Sequence, residues 1–129
     1  YANAALGNEI VKEGIKREDN IKDDKYYITR VLNDIRFLIK HTKDVNYAQF
    51  KENEVLLDSV LFRLIQISEN TKRMSSQLKE NNPQIPRTSI TGFRNRVVHE
   101  YVNIDLSIVY SIISRDLSDL LNMFSFISI

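Results

Sequence analysis

The chain has 129 residues, a length typical of one domain, and its 18 basic and 17 acidic side chains give a formal net charge of +1. This near balance argues against a protein that holds long nucleic acids by charge alone, so any such contact should be local or shared between two subunits. Cysteine is absent and the two histidines are far apart in sequence, which argues against disulfides and against thiolate or histidine-rich metal sites. These features suit a reducing cytoplasm, and no apolar run reaches the ~20 residues that span a bilayer.

Few glycines and prolines interrupt the chain, which favours long helices over an all-β fold. Residues 1–22 have a weak apolar pattern broken by Gly7 and Gly14, and we interpret them as an N-terminal extension, natural or artificial. Residues 23–129 should form one helical domain.

Four helices are predicted in this domain from apolar residues at three- and four-residue steps. The first follows Asp23, the second runs from Leu57 through Leu78 to Asn81, the third is capped by Thr88 or Ser89, and the fourth is capped by Asp105. Short connections between them predict an all-α, four-helix up-down bundle. The apolar C-terminus, residues 123–129, would cover the end of this core or join a dimer interface.

The segment with chemical potential is residues 90–101, in which Arg94, Asn95, His99 and Tyr101 lie on one short predicted helix. Histidine exchanges protons near neutral pH, and arginine presents a charged fork that matches phosphate oxygens. Together they could cleave RNA without a metal, although most such pairs are surface residues with no catalytic role. An ideal helix places Arg94 and His99 about 140° apart, so their convergence on one point would be simplest between two subunits.

The motif strings Gly-Phe-Arg-Asn (92–95) and Val-His-Glu-Tyr (98–101) resemble those of the HepT-like branch of HEPN domains, which carry an Arg-x4-6-His signature. The resemblance extends from about Asp23 to Phe124. Arg87 departs from it, because an aromatic residue often follows the Ile-Pro pair at this point.

The resemblance implies a helical homodimer that acts as a metal-independent endoribonuclease on single-stranded RNA, without a cofactor. It implies that Arg94 and His99 are catalytic, that Asn95 supports them, and that Tyr101 is adenylylated by a minimal nucleotidyltransferase, the antitoxin of a two-gene system. An adenylate on Tyr101 should place an anion beside Arg94. The alternative is a non-catalytic subunit that binds a substrate or nucleotide for such a nucleotidyltransferase.

Overall fold

The computed structural model describes residues 20–127, with side chains from residue 23 onward, and this part of the chain contains helices and no strand. The long helices are α1 (Asn20–Thr42), α3 (Glu54–Arg73) and α5 (Arg87–Glu100). The short helices α2 (Tyr47–Glu52) and α4 (Ser76–Asn81) flank α3. A 3₁₀ turn (Tyr101–Asn103) follows α5, and the last rod consists of α6 (Leu106–Ser111), a π-helical stretch (Ile112–Asp116) and α7 (Leu117–Ser125).

The predicted four-helix bundle is confirmed, with α1, α3, α5 and the α6–α7 rod as its members. Helix α1 packs against α3 and α7, and α3 packs in turn against α5. Fully buried apolar side chains from all four members fill the space between them: Val31, Ile35, Val60, Val97, Val109 and Leu117. None of the helices within residues 20–127 is long and apolar enough to cross a membrane.

The second predicted helix is wrong in one respect, because it breaks at Met74 and Ser75 instead of continuing to Asn81. Ser75 caps α4, and the buried Asp24 of α1 accepts hydrogen bonds from its backbone N–H (2.7 Å) and its hydroxyl (2.5 Å). A carboxylate distant in sequence therefore fixes this corner, and local periodicity carries no sign of it.

Two predictions of helix caps have opposite outcomes. Asp105 caps α6 as predicted, since its carboxylate accepts from the backbone N–H of Ser107 at 2.9 Å. The predicted caps of α5, Thr88 and Ser89, are wrong, because α5 already begins at Arg87 and Pro86 occupies the cap position without a side-chain bond. Proline suits a helix start, where its missing N–H costs nothing.

Helix α2 was not among the predicted helices. The side chain of Asn46 accepts from the N–H of Gln49, whose own side chain accepts from the N–H of Asn46. This reciprocal capping box stabilises so short a helix. Residues 1–19 and 128–129 lie outside the described residues, so the predicted N-terminal extension stays a prediction, as does the role of the last two residues.

Candidate active site

Helix α5 presents the motif residues on different faces because it is continuous from Arg87 to Glu100. Val97 is fully buried and fixes the face that points to the core. His99 follows two residues later, about 200° around the helix, so it faces solvent, and it is exposed in the last turn. Arg94 lies about 60° from Val97, on the flank of α5 beside α3. One chain therefore keeps Arg94 and His99 apart, as the sequence predicts.

The guanidinium of Arg94 is oriented by a carboxylate on α3. Its Nε donates to Glu69 Oε1 at 2.9 Å, and its Nη1 donates to Asn95 Oδ1 at 3.2 Å. Among the residues that the structure describes, the Nη2 group and the second Nη1 hydrogen have no hydrogen-bond partner, and the side chain is 37% exposed. Arginine bound through Nε keeps its outer edge available for a phosphate. Asn95 thus contacts the guanidinium directly, and its supporting role in catalysis stays a prediction.

Tyr101 lies in the 3₁₀ turn after α5, and its hydroxyl donates to Asp58 Oδ1 on α3. That hydrogen bond raises the pKa of Tyr101, and desolvation and the negative charge of Asp58 act in the same direction. The phenol is 47% exposed, so its oxygen is held at the surface in the protonated state.

Arg94 and Tyr101, the two motif side chains that bind carboxylates of α3, are held far from each other. Asp58 and Glu69 lie on one face of α3 but about three turns, or ~16 Å, apart along its axis. The expectation that an adenylate on Tyr101 would lie beside Arg94 of the same chain is therefore wrong, since the phosphate would be attached at the Asp58 end.

Sequence reasoning missed Asp58 and Glu69 as partners of the motif. Each is an acidic residue on the amphipathic helix α3, where a solvent-facing carboxylate is ordinary. The available signal was their spacing, which puts both on the face of α3 that could meet α5. Only the packing of α3 against α5 shows that this face meets Arg94 and Tyr101.

Exposed apolar side chains surround the Asp58–Tyr101 hydrogen bond. On α3 they lie about one turn to either side of Asp58, and on the motif segment they lie next to Tyr101 or one turn before it. We call this surface the tyrosine patch: Val55 (82% exposed), Phe62 (58%), Val98 (50%), Tyr101 (47%) and Val102 (91%). Exposed apolar side chains that lie near one another mark an interaction surface more often than those scattered singly.

Metal ligands are not gathered near the motif. Over the part of the chain that the structure describes, no three histidine or acidic side chains are placed to hold one ion. The chemistry available here is that of a guanidinium, an imidazole and two carboxylates that serve as hydrogen-bond acceptors.

An all-α bundle with Arg94 and His99 on the helix before its last rod is the arrangement expected of a HEPN-type domain. Residues 31–127 match the ribonuclease HepT-like family, and the chain belongs to that family.

Relatives in several prokaryotes support an RNase role. A provisionally named RNase of Methanocaldococcus jannaschii is 27% identical over 95 residues, covering 74% of this chain and 87% of the relative. One from Caldanaerobacter subterraneus is 25% identical over 100 residues, covering 78% and 89%. A provisionally named ribonuclease HepT of Thermococcus cleftensis is 20% identical over 103 residues, covering 80% and 94%. No solved structure matches the chain.

Proposed function

We propose that this protein is a homodimeric, metal-independent endoribonuclease that cleaves single-stranded RNA with Arg94 and His99. The observation that supports the proposal most is the state of Arg94. Glu69 holds its Nε while the side chain remains 37% exposed, which is the arrangement expected of a phosphate-binding arginine.

The reaction follows from the chemistry of the two side chains. The ribose 2′-oxygen attacks the adjacent phosphorus, the bond from phosphorus to the 5′-oxygen breaks, and the products are a 2′,3′-cyclic phosphate and a 5′-hydroxyl. His99 transfers a proton at the 2′-oxygen or the 5′-oxygen, and Arg94 stabilises the extra charge on the phosphorane.

A second copy of the chain would complete the site. Because α5 directs Arg94 and His99 about 140° apart, a two-fold contact through the tyrosine patch would bring the imidazole of one copy towards the guanidinium of the other. The patch lies at the His99 end of the motif and exposes five largely apolar side chains, as expected of an interface core.

We also propose that a minimal nucleotidyltransferase antitoxin silences the toxin by adenylylating Tyr101. The Tyr101 oxygen attacks the α-phosphorus of a nucleoside triphosphate, pyrophosphate leaves, and the phenol proton is released. The modified tyrosine has no O–H to donate to Asp58, and its phosphate would repel that carboxylate. The adenylate would therefore displace the turn at the tyrosine patch and obstruct the shared cleft.

The ribonuclease proposal is tested by incubating single-stranded RNA with the protein in EDTA. We expect 2′,3′-cyclic phosphate ends from the wild type and none from His99→Ala. Equal cleavage by the two proteins would refute the role of His99. Tight RNA or nucleotide binding without any cleavage would instead favour the non-catalytic binding subunit.

The modification is tested by intact mass after co-expression with a minimal nucleotidyltransferase of a HepT-type gene pair. We expect additions in steps of ~329 Da, the mass of one adenylate group, which Tyr101→Phe abolishes. An unchanged mass would refute the adenylylation proposal and leave the ribonuclease proposal intact.

A further inference from the structure

Three basic side chains gather where α5 begins, at the end of the motif helix opposite Tyr101. They come from three helices and form what we call the basic cluster: Lys72 of α3, Lys79 of α4 and Arg87 of α5. Lys79 Nζ donates to the backbone carbonyl of Lys72 at 2.7 Å, which fixes the ammonium at this junction. Burial lowers the pKa of Lys79, and the positive charges of Arg87 and Lys72 lower it further. Lys79 is therefore close enough to Arg87 and to Lys72 to be repelled by both.

The acidic group that faces Lys79 is already engaged. Asp24 acts against the lowering of the Lys79 pKa, but it is buried and both of its oxygens accept hydrogen bonds from Ser75. Glu80 follows Lys79 in sequence and points about 100° away around α4. Lys72 and Arg87 are exposed, so the described surface at this junction is rich in positive charge, and an anion bound there would relieve the repulsion on Lys79.

The basic cluster is aligned with the arginine of the motif. Arg87 precedes Arg94 by two turns of α5, which places it on nearly the same face and ~10 Å away along the axis. On the neighbouring helix, Lys72 follows Glu69, the partner of Arg94, by about one turn. The cluster and Arg94 thus lie along one seam between α3 and α5.

The other direction along this seam is unsuited to a polyanion. Beyond Arg94 it leads to the carboxylate of Asp58 and to the exposed apolar side chains of the tyrosine patch. A phosphate there would meet the like charge of Asp58, whereas a strand that leaves Arg94 towards the basic cluster meets three cations.

We propose that Lys72, Lys79 and Arg87 form a subsite for the backbone phosphates of the RNA, one or a few nucleotides from the phosphate at Arg94. The subsite explains how a chain of net charge +1 can hold a polyanion. Lysine and arginine contacts to phosphates supply affinity without regard to base identity. This inference rests on the proposed ribonuclease function, because it assigns Arg94 to the scissile phosphate.

The test measures binding of a 2′-O-methylated oligouridine of about twelve nucleotides, which cannot be cleaved because its 2′-oxygens are blocked. The wild type is compared with Lys79→Gln/Arg87→Gln at several salt concentrations. The matched control is Lys40→Gln/Lys43→Gln, which removes two exposed lysines at the far end of α1. Thermal melting checks that each variant is folded.

We expect binding by Lys79→Gln/Arg87→Gln to be weaker by on the order of tenfold at low salt, and the slope of log affinity against log salt to fall by about 1 to 1.5. The control should match the wild type. Equal affinities and slopes for all three proteins, or an equal loss in the control, would overturn the subsite.

Cleavage of a dinucleotide separates this inference from the proposed function. The dinucleotide is too short to reach the basic cluster, so Lys79→Gln/Arg87→Gln should cleave it as the wild type does while cleaving long RNA more slowly at low concentration. An equal loss on both substrates would overturn the subsite. A wild type that cleaves neither, yet shows the predicted difference in binding, would refute the proposed function and support the subsite.

Discussion

The two ends of helix α5 carry opposite kinds of surface. Its first turn lies in the basic cluster, where Lys79 and Arg87 repel each other. Its last turn leads into the tyrosine patch, where Val98, Tyr101 and Val102 are exposed around the carboxylate of Asp58. One helix thus joins a surface suited to a polyanion with a surface suited to a protein.

This difference shows how a small domain can separate its tasks along one element. In the proposed mechanism the basic end attracts the backbone of RNA, the apolar end pairs with a second copy, and Arg94 lies between them. Both ends are anchored by the same neighbour, because α3 supplies Lys72, Glu69 and Asp58 in order along one side.

The largest expected effect comes from the residue between the two ends. Arg94→Ala should lower the cleavage rate of long and short RNA alike by about 10²- to 10³-fold, since it removes the group that stabilises the phosphorane. Arg87→Ala, seven residues earlier on the same face, is the matched control and should slow cleavage of long RNA only. Steady-state kinetics on both substrates measures the difference. If Arg87→Ala slowed dinucleotide cleavage as much as Arg94→Ala does, the separate roles assigned to Arg94 and to the basic cluster would be refuted.

A charge placed in the tyrosine patch should break the dimer. Phe62→Glu should weaken self-association by on the order of a hundredfold, because a buried carboxylate would lack a partner at the interface. Phe126→Glu is the control. Phe126 is 85% exposed, but it lies at the C-terminal end of α7 and is not part of the tyrosine patch. Sedimentation at several protein concentrations reads the result. An interface at this patch would be contradicted if both variants dissociated to the same extent, or if neither variant dissociated.

Loss of the carboxylate that orients Arg94 should have an intermediate effect. Glu69→Gln should lower kcat about tenfold and change KM little, because a neutral amide holds the guanidinium less firmly. Glu69→Asp keeps the charge and should recover part of the rate. A fall in thermal stability with unchanged kcat would show that Glu69 is a structural partner only.

The smallest effect is expected from loss of the Asp58–Tyr101 hydrogen bond, which is exposed and should change only the pH dependence of fold stability. The pKa of Tyr101 is raised in the folded protein, chiefly by this bond. The bond therefore stabilises the fold at pH values below the unfolded tyrosine pKa of ~10, and the stabilisation is lost as the pH rises through the folded value. Ultraviolet titration should show a lower Tyr101 pKa in Asp58→Asn, read against Tyr101→Phe to isolate this one phenol. An unchanged titration would mean that the bond does not persist in solution.

The sequence predicts the bundle well because its signals are local. The apolar spacing around Val31, Ile35 and Val60 predicts helices, and the carboxylate of Asp105 predicts a cap. The break at Ser75 depends on Asp24, which is distant in sequence, so no local pattern could reveal it.

The site was predictable in part for the same reason. Arg94, Asn95, His99 and Tyr101 belong to one continuous motif, whereas Glu69 and Asp58 gain their meaning only when α3 packs against α5. Lys79 and Arg87 likewise come together through the corner at Ser75, which separates α3 from α4.

The most direct test of a site shared between two copies is to mix Arg94→Ala with His99→Ala and measure RNA cleavage in EDTA. Each variant alone should be inactive. In a randomly exchanged mixture, half of the dimers contain both variants, and one of the two sites in each of these combines an intact arginine with an intact histidine. The mixture should therefore recover about a quarter of the wild-type activity. A mixture as inactive as its components, with exchange of subunits verified, would contradict a site that takes Arg94 and His99 from different copies.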